Sequence, residues 1–143
     1  MDPGDVGYDL LAALLYGLVG LALMGLGWVV LDVLIPGNLA DLICRQRRRD
    51  AGLVTAAGTI SIAAIVTASI AASDDDLAEG LAETAAFGGI GLLLLALAFV
   101  GVDRITPGSL GEILADEHDD EPTALVTSAA LLGVAAIIVA AVS

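Results

Sequence analysis

Four stretches of this chain, Leu10 to Leu31, Ala51 to Ala72, Thr84 to Val102 and Thr123 to Val142, contain no Asp, Glu, Lys or Arg. Each is close to the roughly 20 residues that cross a hydrocarbon core at 1.5 Å rise per residue. A bilayer offers no water to backbone N–H and C=O groups, so a spanning segment must satisfy them within itself or in a closed barrel. These runs are continuously apolar and rich in Ala, Leu and Ile, without the alternation of barrel strands. The fold class expected is all-α and integral to the membrane, with four transmembrane helices.

Composition agrees. Of the 143 residues, 58% are hydrophobic and 16% charged, against about 25% charged in ordinary soluble domains. The five cations face 18 acids, a net charge of −13, which excludes nucleic acid as a partner because phosphate contacts need cations. A cleaved signal peptide is the competing reading of the first run. Met1 to Asp9 carries Asp2, Asp5 and Asp9 and no cation, the wrong sign for a signal peptide's leading region. The first run therefore reads as a mature helix.

The cations also predict orientation. Arg45, Arg47, Arg48 and Arg49 lie between the first two runs and Arg104 between the last two. The positive-inside rule then places both connections, 32–50 and 103–122, in the cytoplasm and both termini outside.

Residues 31–43 align without gaps on residues 102–114 at an offset of 71. The same offset sets Gly17 and Gly20 on Gly88 and Gly91, and Trp28 on Phe99. One added residue then pairs Leu53-Val54-Thr55 with Leu125-Val126-Thr127 and Ala63-Ala64-Ile65 with Ala135-Ala136-Ile137. The expected organisation is a tandem duplication of a two-helix hairpin, residues 1–72 and 73–143. An even number of spans per unit gives both copies one orientation, hence a parallel pseudo-two-fold along the membrane normal.

The duplicated hairpin, the Asp-x-x-x-Pro element closing the first and third runs, and the small-residue second and fourth runs resemble the YjfL-like small bacterial membrane proteins, the family of domain of unknown function 350. The resemblance covers nearly the whole chain. It implies a bacterial or archaeal inner-membrane protein, encoded near envelope-stress and membrane-scaffold proteins, and it implies no established activity. Where the family pattern has an Asn-Ala pair at the start of the second and fourth helices, this chain has Asp50-Ala51 and Pro122-Thr123.

Asp32 and Asp103 occupy equivalent positions at the ends of the first and third runs. Two such carboxylates near a pseudo-two-fold could attract a cation; the plainer reading is ionised groups at headgroup depth that mark helix ends. Pro36-Gly37-Asn38 and Pro107-Gly108-Ser109 break each outgoing helix. Asn38 with Asp41, and Ser109 with Glu112, have the spacing of an N-cap and its reciprocal partner. They predict a short amphipathic helix at the membrane surface, with Leu39, Leu42 and Ile43 on one face.

Arg45, Arg47, Arg48 and Arg49 read first as topology determinants, and second as contacts for anionic lipid headgroups or an acidic partner. The matching stretch of the second repeat, Asp116 to Glu121, is acidic and holds the lone histidine, His118. It lacks the spacing of a metal loop. Gly17, Gly20, Gly88 and Gly91, with Ala64, Ala68 and Ala72, are expected to let helices approach closely. Hydroxyls at Thr55, Thr59, Ser61, Thr67, Thr127 and Ser128 either line a polar path or, the preferred reading, bond to the preceding turn or across helices. With one cysteine, Cys44, and no nucleophilic, phosphate or metal motif, no enzyme and no cofactor are expected.

Two functions remain. The first is a non-enzymatic membrane scaffold in the lipid bilayer, forming a homo-oligomer and offering its cytoplasmic connections to a protein partner. The second is an oligomeric channel or transporter subunit with Asp32 and Asp103 ringing its mouth.

Overall fold

The computed structural model describes residues 3–35, 39–45, 47, 49–73, 76–105 and 122–143. Its helices are α1 (Pro3–Leu34), α2 (Leu39–Cys44), α3 (Arg49–Ala71), α4 (Leu77–Ile105) and α5 (Thr123–Val142). All but α2 are long and apolar enough to cross a membrane. The four expected spans are present, and α1 and α4 extend well beyond their charge-free runs at both ends.

α1 begins at Pro3, where a fixed φ and a missing N–H suit the first helical position, and it includes Asp9. At 32 residues it is about 48 Å long, beyond the ~30 Å hydrocarbon core. α4 begins seven residues before its apolar run, because the Asp76 carboxylate accepts the N–H groups of Ala78 at 3.0 Å and Glu79 at 3.2 Å. This N-cap satisfies two of the first turn's free donors. Asp76 thus marks a helix start; Asp74 and Asp75 lie outside the described residues.

Helix α3 is central, packing on α1, α4 and α5. More than half of its span is buried, 56%, against 17% for α1. The order inverts that of a soluble protein for a simple reason. Lipid tails are as apolar as Leu, so burying Leu brings little, whereas small and hydroxyl-bearing residues gain from close helix contact. α3 is made of Ala, Gly, Ser, Thr, Ile and Val beyond its first turn, apart from Leu53. α1 turns Leu10, Leu14, Leu18 and Leu21 outward.

α1 runs antiparallel to α3: a Cβ on Gly20 would meet Val66 and Ile70, Gly27 faces Ile62, and Leu31 covers Gly58. α4 lies against α1 through Gly88 and Leu23, and against α3 and α5 through Gly91, Ile65 and Ile138. α1 and α5 scarcely meet, if at all, so the four spans form a rhombus with α3 and α4 across its short diagonal. Its centre is filled by Leu31, Ile62, Ile65, Leu92, Leu95, Phe99 and Leu131, all nearly fully buried.

Of the small residues expected to mediate approach, Gly20, Gly88 and Gly91 do so, whereas a Cβ on Gly17 would meet open space. Ala68 is buried and Ala64 exposed, so that stripe is not one contact face.

Candidate functional site

The charged groups singled out in the sequence gather at the end of the bundle where α1 finishes, α3 begins and α4 finishes. α1 ends with Asp32 exposed and Ile35 buried. The chain then re-enters helix at Leu39, whose N–H donates to the Asp32 Oδ1 at 3.0 Å. Asp32 thus serves as an acceptor for the first turn of α2, while the cap expected at Asn38 lies outside the described residues. A signal did exist in the apolar spacing after the breaker, but the reach back over seven residues is not a local pattern. Pro36, Gly37 and Asn38 lie outside the described residues.

The short helix expected at the membrane surface exists as α2. Its apolar face is turned into the protein: Leu39 and Leu42 are buried and Ile43 packs on the same core, next to α3, whose Ala51 and Val54 are also fully covered. α2 closes this end of the bundle. The apolar residues share one face as expected, and Leu39 and Leu42 seat it against the bundle beside Ile35 and the small first turns of α3.

The opposite face of α2 carries charge. Arg45 Nε stands 3.4 Å from Asp41 Oδ1, one turn back, with the two side chains 85% and 41% exposed. Such a pair is worth about 0–1 kcal/mol. Arg47 has φ 51°, the left-handed region that costs a non-glycine residue roughly 1–2 kcal/mol. It turns the chain between α2 and α3 within a few residues. Arg47 and Arg49 are exposed and Cys44 is an exposed free thiol; Arg48 lies outside the described residues.

Asp103 is half-buried near the end of α4 and Arg104 is exposed. The two carboxylates therefore sit at the same end in unlike surroundings, Asp32 exposed and engaged with α2. Pro107, Gly108, the second cap of Ser109 and Glu112, and the acidic run with His118 fall outside the described residues. Among the described residues, no three His, Cys, Asp or Glu side chains could together hold a metal ion.

Deeper in the bundle the hydroxyls bond to their own helices. Thr55 donates to the Ala51 carbonyl at 2.7 Å, Thr59 to Thr55 at 2.8 Å, Thr67 to Ala63 at 2.8 Å and Ser69 to Ile65 at 2.9 Å. Ser61 donates to Ala57 at 2.8 Å and, across helices, to the Leu131 carbonyl of α5 at 3.3 Å. This matches the preferred reading of back-bonded and interhelical hydroxyls at Thr55, Thr59, Ser61 and Thr67, and not at Ser128. Two buried hydroxyls, on Thr84 and Ser128, have no hydrogen-bond partner among the described residues.

The model of a family described as Domain of Unknown Function (DUF350) matches residues 5–142. The chain belongs to the DUF350 family. It is 33% identical over 143 residues to a UPF0719 transmembrane protein of Mycolicibacterium paratuberculosis, covering 100% of this chain and 94% of the relative. UPF0719 transmembrane proteins of Mycobacterium bovis and Mycobacterium tuberculosis are each 34% identical over 136 residues, covering 95% of this chain and 89% of the relative. No solved structure matches. The resemblance read from the repeated motif is borne out, and this DUF350 chain is a multi-pass membrane protein, as its relatives' names and its four spans agree.

Proposed function

We propose that this DUF350 protein is a non-enzymatic membrane scaffold. It is held in a bacterial or archaeal plasma membrane with both termini outside, and presents its Arg-bearing and acidic connections to the cytoplasm. The observation that carries the reading is the filled interior. The cavity between α1, α3, α4 and α5 is about 10 Å³ and lined by Gly27, Leu31, Ile62, Leu92, Leu95, Phe99 and Leu131 among others. An apolar space of that size stays dry. The hydroxyls that would line a path are mostly turned to their own backbone. Asp32 is engaged in starting α2. A chain so arranged leaves no path through a single copy, so conduction would need a path between copies, whereas assembly and display need none.

The same reading holds the chain to be a duplicated hairpin. Gly20 against Val66 and Gly91 against Ile138 pair residues that correspond at offsets of 71 and 72, which supports a parallel pseudo-two-fold. The halves differ at other contacts, for Ile65 meets Gly91 whereas its counterpart Ile137 is exposed. Leu23 fills the space over Gly88, whereas at the corresponding positions Gly17 is open and Leu94 is 45% exposed.

The test is the mass and composition of the native assembly, extracted from its own membrane in a mild polymer. Stoichiometric recovery with a soluble cytoplasmic protein, undiminished by Asp32→Asn with Asp103→Asn, is the result expected. A closed homo-oligomer with no partner would favour the channel alternative.

A further inference from the structure

The exposed residues of α3 fall in a single line. Arg49, Leu53, Ala56 and Ile60 are exposed, spaced at four, three and four residues, so they share one helix face. The line is narrow because α3 is otherwise the most buried span. α1 and α5 flank α3, and the exposure of Leu53, Ala56 and Ile60 leaves this face open to the bilayer. At its head Arg49 is the first residue of the span, and Arg45 and Arg47 precede it on the α2 connection, all three exposed. Arg47 and Arg49 make no ion pair with any described residue, and Arg45 meets Asp41 through Nε alone among its described contacts. α2 cannot swing this cluster away, since Leu39 and Leu42 fix it to the bundle.

We propose that this surface seats an anionic phospholipid, with the headgroup phosphate at Arg45, Arg47 and Arg49 and one acyl chain along Leu53, Ala56 and Ile60. The chemistry matches at both ends. Guanidinium groups present several donors to phosphate oxygens and keep their charge. An apolar strip running directly into the hydrocarbon from those cations fits a chain attached to that phosphate, and neither a soluble anion nor an acidic protein segment would use it. A chain with net charge −13 repels anionic lipid elsewhere, so the preference is confined to this cluster. The proposal goes beyond the scaffold reading and depends only on the chain's place in the membrane.

The experiment is native mass spectrometry of the purified full chain in detergent, titrated with dioleoylphosphatidylglycerol or dioleoylphosphatidylcholine. The wild type is expected to retain the phosphatidylglycerol preferentially, and each of Arg45→Gln, Arg47→Gln and Arg49→Gln to lower its affinity about fivefold. Arg104→Gln should leave it unchanged. Ala56→Trp, which fills the strip and leaves the charges intact, should lower retention too. The single substitutions are of exposed side chains and serve where a triple variant fails to fold. Equal retention of the two lipids by the wild type would overturn the proposal, as would undiminished preference in all three Arg variants, or full retention by Ala56→Trp. Displacement by inorganic phosphate as effective as by phosphatidylglycerol would also overturn it. So would a preference that emerges only when the acids from Asp116 to Glu121 are replaced by amides, since that would assign the Arg cluster to the chain's own acidic connection.

Discussion

Asp32 and Leu39 are seven residues apart, and the Asp32 carboxylate accepts the Leu39 N–H at 3.0 Å. The bond ties the end of α1 to the start of α2 and gives the exposed acid a structural task. Loss of a helix-start acceptor costs about 0.5–2 kcal/mol. Asp32→Ala is therefore expected to speed backbone hydrogen exchange in α2, while Asp32→Asn, which keeps an acceptor oxygen, changes it less. Equal protection in wild type and Asp32→Ala would remove the capping role.

The glycines divide by what a methyl would strike. On Gly91 it would collide with Ile65, and on Gly27 with Ile62 at 2.7 Å, whereas on Gly17 it would meet nothing within 4 Å. Gly91→Ala and Gly27→Ala should each destabilise the bundle by about 1–3 kcal/mol. Gly17→Ala should be neutral or gain roughly 0.5–1 kcal/mol from helix propensity. Reversible unfolding in mixed micelles measures all three on one scale.

These two cases show what was legible in the chain and what was not. The spans were plain because hydrocarbon excludes charge, so runs such as 123–142 mark themselves. Helix ends were not, since hydropathy reports the membrane and not the helix; α1 continues back through Asp9 to Pro3, and α4 starts at Leu77 under the Asp76 cap. Gly17 and Gly88 are equivalent in the repeat, yet only Gly88 meets a neighbour. That difference arises from how α1 and α4 pack, which no spacing records. At the Arg-bearing end, Asp32 was visible as an unusual acid and its partner Leu39 was not, because a bond over seven residues follows no local spacing.

The two unpartnered buried hydroxyls should be dispensable. Thr84 and Ser128 have buried oxygens without partners among the described residues, and an unsatisfied buried polar group costs about 1–3 kcal/mol. Thr84→Val and Ser128→Ala should leave stability unchanged or raise it, by up to about 1 kcal/mol. Ser61→Ala should lower it by about 0.6 kcal/mol, through loss of the interhelical bond to Leu131. The same unfolding assay separates the two classes, and a stability loss in Thr84→Val would show that its hydroxyl has a partner in the bilayer.

Arg47 turns the chain at φ 51°, where glycine carries no Cβ penalty. Arg47→Gly should slow exchange of the amides at the start of α3, through relief of about 1 kcal/mol of strain. Arg47→Lys should not, because it keeps both the charge and the Cβ. Identical exchange in the two variants would mean that the left-handed turn is not strained.

The central claim is that a filled bundle with its carboxylates at one end supports assembly and display, not conduction. Cation flux through proteoliposomes of the purified chain tests this most directly, compared between wild type and the double variant Asp32→Asn with Asp103→Asn. Background flux in both is the predicted result. Flux through the wild type that disappears in the double variant would contradict the account.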